Sequence, residues 1–324
     1  MSKIIGIDIS KQTFDVCFEQ QERLIHKVYD NNLFGFISFM ELIKNRDIIV
    51  MEASGPYYMR LANYLHSHNI IVSVLNPLII RRYSQMRFYR AKTDKKDAAT
   101  IMEYGILQRD ELPIWKPSQE FIQALQQQHS CLELLKKQYH QTKRQQESFE
   151  ATGYISNEVS SRLEALLVYL TSAIKEIENQ MLAICKSHYN QSYELLTSIP
   201  GIGNKTAIML IVITDNFKKF SHYKKLIAYV GLSPRIYESG TSVKGKGHIC
   251  KMGKSQIRKL LYLCSWTAKK YNKACKQMYD RLKTKGKPER VIKIAIANKL
   301  LKQAFAIANS KQKYIENYQE NICF

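Results

Sequence analysis

The sequence predicts a mixed α/β domain, then a helical middle segment built on a coiled-coil seam, then a mainly α-helical, strongly basic domain. Three observations predict it. Short β-rich runs alternate with helical periods over the first hundred residues, apolar residues step by threes and fours from Ser118 to about Ser187, and glycine loops alternate with lysine-rich helices beyond Leu195. A length of 324 residues suits several domains, which we place at 1–117, 118–190 and 191–324, and a hydrophobic content of 45% supplies their cores.

In the first domain, IIGIDIS (4–10), FDVCFE (14–19) and RLIHKVY (23–29) read as strands of a meander. NLFGFISFMELIKN (32–45) carries a helical period, DIIVMEAS (47–54) is a strand, PYYMRLANYLHSHN (56–69) a helix and IIVSVLNP (70–77) a further strand. Three strands followed by helices alternating with two more give the strand succession of an α/β ribonuclease-H-like domain, a mixed sheet with helices on its faces.

In the middle segment, Leu163, Leu166, Leu170, Ile174, Ile177, Met181 and Ile184 form a seam, and Ile122, Leu125, Leu132 and Leu135 offer a shorter partner. Thr152 and Gly153 would let the chain turn back. The pattern suits a helix pair within one chain and a coiled coil joining subunits equally. Helices are expected at 205–214, 255–271 and 288–310 in the last domain.

The net charge is +21, and 26 basic against 6 acidic residues in 201–324 account for +20 of it. A solvated lysine-rich surface normally interleaves acids, so this imbalance points to a polyanionic partner, nucleic acid first. The seven cysteines form no CxxC pair, which argues against a disulfide framework and a zinc ribbon, and the eight histidines show no metal spacing. The N-terminus lacks a signal-peptide core and no apolar run approaches bilayer length, so a soluble, reduced, intracellular protein without a membrane partner is expected.

Asp8 lies where the apolar run IIGI hands over to Ser10 and Lys11, and Glu52 holds the equivalent place after IIVM. If those strands are neighbours, both carboxylates project from the end of the sheet where open α/β sheets place ligands. Asp94 and Asp97, three apart on a helix, share a face. Four converging acids are costly without a cation, and two magnesium ions roughly 3.5–4 Å apart, or manganese in their place, would serve phosphodiester chemistry. Taken singly each acid has a plainer reading: Asp94 with Asp97 fits a helix N-cap with an acid at its third position, Asp8 a strand-end turn and Glu52 a solvated acid. Arg81, Arg82, Arg87, Arg90, Lys92, Lys95 and Lys96 crowd the approach to Asp94, as suits a phosphate-bearing substrate.

ESGTSVKGKGHICKMGKS (238–255) mixes glycines with Lys244, Lys246, Lys251 and Lys254, letting backbone approach a phosphate while lysines neutralise it. Ser239 in this loop reads as a nucleophile forming a covalent phosphoserine, or with Gly240 simply as a turn. It is no ATP-binding loop, because five residues separate Gly247 from Gly253 where that pattern has four. IPGIGNKTA (199–207) places Gly201 and Gly203 ahead of Lys205 at a helix start. That arrangement suits a helix-hairpin-helix-like grip on DNA backbone, or an ordinary glycine connection between helices.

GIDISK, VMEASGPY and RAKTDKKDA, followed by LLTSIPGIGNKTA, LIAYVGLSPR and YESG, resemble in order the blocks of the DEDD-type insertion-sequence transposases, a group related to the Piv DNA invertases and to bridge-RNA-guided recombinases. The resemblance spans nearly the whole chain. It implies a RuvC-like first domain with a metal site of Asp8, Glu52, Asp94 and Asp97, and a C-terminal transposase domain with Ser239 as nucleophile. It further implies donor and target DNA and a noncoding guide RNA as partners, a homodimer or homotetramer, and action on the nucleoid in a bacterial cytoplasm. Relatives carry a second glycine after the serine-glycine pair where this chain has Thr241, which keeps Ser242 as an alternative nucleophile. The rival functions are a metal-dependent nuclease or Holliday-junction resolvase activating water with the same acids, and a non-catalytic nucleic-acid scaffold.

Overall fold

The structure, a computed structural model, describes residues 2–89, 93–235, 238–239, 243–244 and 248–316, with 238–239 and 243–244 described in backbone only. The chain forms two compact units, Met1–Pro117 and Ser118–Phe324.

Unit 1 is built on β1 (Ile4–Ile9), β2 (Thr13–Gln20), β3 (Arg23–Asp30), β4 (Ile48–Glu52) and β5 (Ile71–Leu75), in the order β3-β2-β1-β4-β5. β1, β2 and β3 pair antiparallel, while β4 and β5 run parallel to β1, so the sheet is mixed as the alternation predicts. Successive side chains of a strand point to opposite faces. Ile5, Ile7 and Ile9 of β1 with Phe14, Val16 and Phe18 of β2 therefore bury one face under α1 (Leu33–Met40) and α2 (Tyr58–Ser67). Ile4 and Val50 bury the other with Ile80 of α3 (Pro77–Met86) and Ile101 and Met102 of α4 (Asp94–Leu107). Burying each such side chain contributes about 1.5–3 kcal/mol, so both helical layers are firmly seated on the sheet.

The sequence reading did not anticipate α3. Its signal is Asn76, whose side chain accepts from the Leu78 amide, with Pro77 in the first turn.

Unit 2 opens with a long helical hairpin, α5 (Glu120–Glu150) and α6 (Asn157–Thr197), turning at Thr152–Gly153 where Gly153 has φ +80°. The α5 residues Ile122, Leu125 and Leu132 and the α6 residues Met181 and Cys185 join one core with α7 (Asn204–Thr214), α8 (Tyr223–Val230), α9 (Ser255–Tyr271), α10 (Lys273–Thr284) and α11 (Glu289–Ser310). Of the predicted seam, Leu170 and Met181 are buried, Leu163, Ile174, Ile177 and Ile184 are half-buried and Leu166 is exposed, while Tyr154, Val168 and Tyr169 towards the hairpin's far end are exposed off the seam. Four short strands, β6 (Pro234–Arg235), β7 (Glu238–Ser239), β8 (Val243–Lys244) and β9 (His248–Ile249), pair as β6 with β9 and β7 with β8. Neither α8 nor α10 was anticipated: α8 is only eight residues long, and in α10 Cys275 alone is fully buried.

Among the described residues the six cysteines are free, and no helix is long and apolar enough to cross a membrane.

Candidate active site

The parallel register of β1 and β4 pairs Ile7 with Met51, which sets Asp8 and Glu52 side by side, one residue further along. Both alternate onto the sheet face that carries α4, because Val50 two residues before Glu52 packs there. Glu52 is oriented by a hydrogen bond from the Ser54 hydroxyl. α4 brings Asp94 and Asp97 in its first turn.

The cap of α4 corrects one sequence reading. Thr93, and not Asp94, is the N-cap residue: its side chain accepts from the Lys96 amide at 3.3 Å. Asp94 therefore stands inside the helix, without the capping duty that was its plainer explanation. Asp94 is exposed, while Asp8, Glu52 and Asp97 are half-buried.

The other three carboxylates act on Asp8. Burial, then Asp97, Glu52 and Asp94 in that order, push the Asp8 carboxyl up to about 6 from 3.8, with a smaller contribution from Asp15. A carboxyl displaced in this way by burial and specific like charges is a candidate for a functional site. Among the described residues no group of three or more His, Cys, Asp or Glu is arranged to hold a metal ion. The donor chemistry nonetheless fits a hard divalent cation, which takes oxygen ligands and would relieve the repulsion that burdens Asp8.

Asp15 escaped the sequence reading. It is the antiparallel partner of Asp8 on β2, shares its face, and is held at 2.7 Å by His26 Nε2 from β3. The signal was the short link between β1 and β2, which fixes the register that pairs residue 8 with residue 15.

Arg81 and Arg82 lie exposed on α3, Arg87 caps its C-terminus, and Lys95 and Lys96 lie exposed in the first turn of α4. Arg90 and Lys92 fall outside the described residues.

In unit 2, Gly201 has φ +106°, and a β-carbon on it would come within 2.7 Å of Ala268 in α9, so this turn requires glycine. Gly203 caps α7 without a side chain, leaving the first amides of that helix uncapped. Lys205 follows and pairs with Glu178 Oε1 at 2.9 Å, as does Lys136. Burial pushes Glu178 up, but hydrogen bonds from these two lysines outweigh it and hold the carboxyl below its usual range. Lys251 and Lys254 are exposed between β9 and α9. Ser239 ends β7 with its backbone opposite Val243, and Lys244 lies opposite Glu238. Ser242 and Lys246 fall outside the described residues.

Comparison with known proteins gives two family matches. Residues 5–149 match a transposase model of the DEDD IS110 type, and residues 193–280 match the transposase IS116/IS110/IS902 family. The pilin gene-inverting proteins of Moraxella lacunata and Moraxella bovis are each 30% identical to this chain, over 99% of it and 100% of their own length. The transposase for insertion sequence element IS1328 of Yersinia enterocolitica is 25% identical, over 94% of this chain and 96% of its own.

Proposed function

The chain belongs to the IS116/IS110/IS902 family of transposases, and from that premise we propose that it cleaves and rejoins DNA strands through a phosphoserine formed by Ser239. Asp8, Glu52, Asp94 and Asp97 would hold the divalent cation, Mg2+ or Mn2+, that assists it. The observation that carries this reading is the burden on Asp8, raised to about 6 by burial and by the three other acids. Building this repulsion into the ends of two central strands is costly unless a cation is the intended occupant. The matched DEDD model spans all four positions.

The chemistry balances without an external energy source. The Ser239 hydroxyl gives up its proton as Oγ attacks phosphorus, the Oγ–P bond forms, one P–O bond of the strand breaks, and the departing end takes a proton as a hydroxyl. Rejoining runs in reverse: a strand hydroxyl attacks the phosphoserine, Oγ departs and is reprotonated. The bond energy stays in the covalent intermediate, so no ATP is consumed. When bound, the cation neutralises charge on the phosphate. Asp8 and Glu52 hold their positions on adjoining strands, and Asp94 and Asp97 on a helix turn fixed by Thr93. Arg81, Arg82, Arg87, Lys95 and Lys96 neutralise the strand's backbone on approach, and the uncapped first amides of α7, at Asn204 and Lys205, offer a sequence-independent phosphate grip.

The reaction we infer is transposition by site-specific strand exchange between donor and target DNA, at the nucleoid in the cytoplasm; the gene inversion named for the Moraxella proteins is a DNA rearrangement of the same kind. A noncoding guide RNA supplies the sequence choice in this reading, as the family resemblance implies. The exposed far end of the α5–α6 hairpin supports assembly as a homodimer or homotetramer through that coiled-coil arm.

The test is to trap the protein on end-labelled DNA in magnesium and map the attached residue. The adduct is expected on Ser239 and absent in Ser239→Ala. An adduct on Ser242 would move the nucleophile, and undiminished cutting by Ser239→Ala would make the enzyme a water-activating nuclease.

A further inference from the structure

Phe88 combines two properties found together at no other aromatic residue among the described ones. It is 86% exposed, and its φ is +57°. For a bulky side chain, that left-handed backbone is a sterically disfavoured outlier. Phe217 shares the backbone sign at φ +64° but is buried in the core of unit 2, where packing offsets the strain. Phe34 is nearly as exposed, at 80%, but lies in regular helix. Phe88 has the strain without the burial.

The strain comes from the end of α3. The Tyr89 amide bonds to the Ser84 carbonyl at 3.2 Å and the Phe88 amide to the Gln85 carbonyl at 3.1 Å. These are the two bonds of a Schellman helix end, and Phe88 stands at the position where glycine is the usual residue. The chain on both sides is fastened. Arg87 lies over the Tyr89 ring at 5.9 Å, and the Tyr89 hydroxyl donates to Glu103 Oε2 on α4 at 2.7 Å. A rigid, strained mount thus holds an apolar ring out in water. It is tied to the helix that carries Asp94 and Asp97.

A strained residue at a fixed mount calls for a functional explanation. The surroundings say which: Arg81, Arg82 and Arg87 are exposed along the same stretch, with Met86 exposed two residues before Phe88. An apolar side chain flanked by arginines complements a phosphate-lined duplex whose base stack it enters, as architectural proteins do when they wedge between base steps. We propose that Phe88 is a wedge, inserted between adjacent bases beside the phosphate to be attacked. This inference rests on the recombinase reading and adds how the DNA is opened.

Replacing the ring with hydrogen separates the two roles. Phe88→Gly removes the backbone strain, so it should raise the melting temperature of the full-length protein by roughly 2 °C. The same change should lower strand exchange at least tenfold. Duplexes carrying 2-aminopurine beside flexible TA steps should brighten with the wild type and with Phe88→Trp, and stay dim with Phe88→Gly. Unchanged fluorescence with the wild type, or full strand exchange by Phe88→Gly, overturns the wedge while leaving the covalent mechanism standing. A shift in oligomeric state of Phe88→Gly without DNA also overturns it, marking the ring as a contact between copies. A wild type that forms no covalent adduct sinks the recombinase reading itself.

Discussion

Gly6 of β1 lies so close beneath Met102 of α4 that a β-carbon on Gly6 would fall 2.4 Å from the Met102 amide nitrogen and 2.3 Å from the Ala98 carbonyl oxygen. These are backbone atoms, which cannot swing aside. The absence of a side chain two residues before Asp8 is therefore what lets the helix bearing Asp94 and Asp97 lie against the strand bearing Asp8.

Gly6→Ala should lift α4 from β1. Overpacking of this kind costs about 1–3 kcal/mol, and the larger effect should fall on chemistry, because the acids separate. We expect a modest loss in thermal denaturation together with at least a hundredfold loss of DNA cleavage. Wild-type cleavage by Gly6→Ala would show that α4 need not press on β1.

Asp8 gives a pH signature. Its folded pKa of about 6 lies above the ordinary 3.8, so the folded state binds the proton more tightly. Its contribution to stability is therefore greatest below about pH 4 and declines as pH rises through the window from 3.8 to about 6. Asp8→Asn removes the charge and the slope. It should melt roughly 3 °C above the wild type at pH 7.5 without divalent cation, match it near pH 4, and cleave no DNA. Equal melting of the two at pH 7.5 would mean the carboxylates do not strain the fold.

Glu289 gives the opposite signature. Hydrogen bonds from Lys269 at 2.9 Å and Tyr279 at 2.8 Å, with Lys293 at 3.4 Å, hold its carboxyl down to about 2. A depressed carboxylate stabilises the fold above its ordinary pKa of 4.5 and loses that contribution as pH falls through about 2. Lys293 is buried, with its ammonium 3.2 Å from the centre of the Trp266 ring, so Glu289→Gln leaves it without its counter-charge. Glu289→Gln should melt below the wild type from pH 5 to 8, with the difference gone near pH 2. A pH-independent difference would indicate a packing effect instead.

The charge of residues 201–324 predicts steep salt dependence. Binding of nonspecific duplex should weaken at least about a hundredfold between 50 and 200 mM salt, and paired substitution of Lys251 and Lys254 should shallow that slope. A complex insensitive to salt would contradict backbone neutralisation as the source of affinity.

How much of this was legible in the sequence depends on the range of the interactions. β1, β4 and β5 announce themselves through largely apolar runs, whereas the pairing of β1 with β4, which sets Asp8 beside Glu52, is a condition in the sequence that only the structure's parallel register meets. Asp15 was missed because its nearness to Asp8 exists only once the β1–β2 register is fixed. The cap was misread by one residue, since threonine and aspartate both serve at helix starts and only the hydrogen bond to the Lys96 amide separates them. Phe88 could not be read at all, because residue type argues against the backbone it adopts. The role proposed for Ser239 rests on the resemblance of its loop to the family's and not on geometry, since that loop includes residues outside the described ones.

The most direct test is a structure of the full-length protein crystallised with manganese and measured at the metal's anomalous edge. The account predicts anomalous density bonded to oxygens of Asp8 and Glu52 with Asp94 or Asp97 completing the shell, and its disappearance in Asp8→Asn. Manganese bound elsewhere, or these four side chains left without ion at saturating manganese, would contradict it.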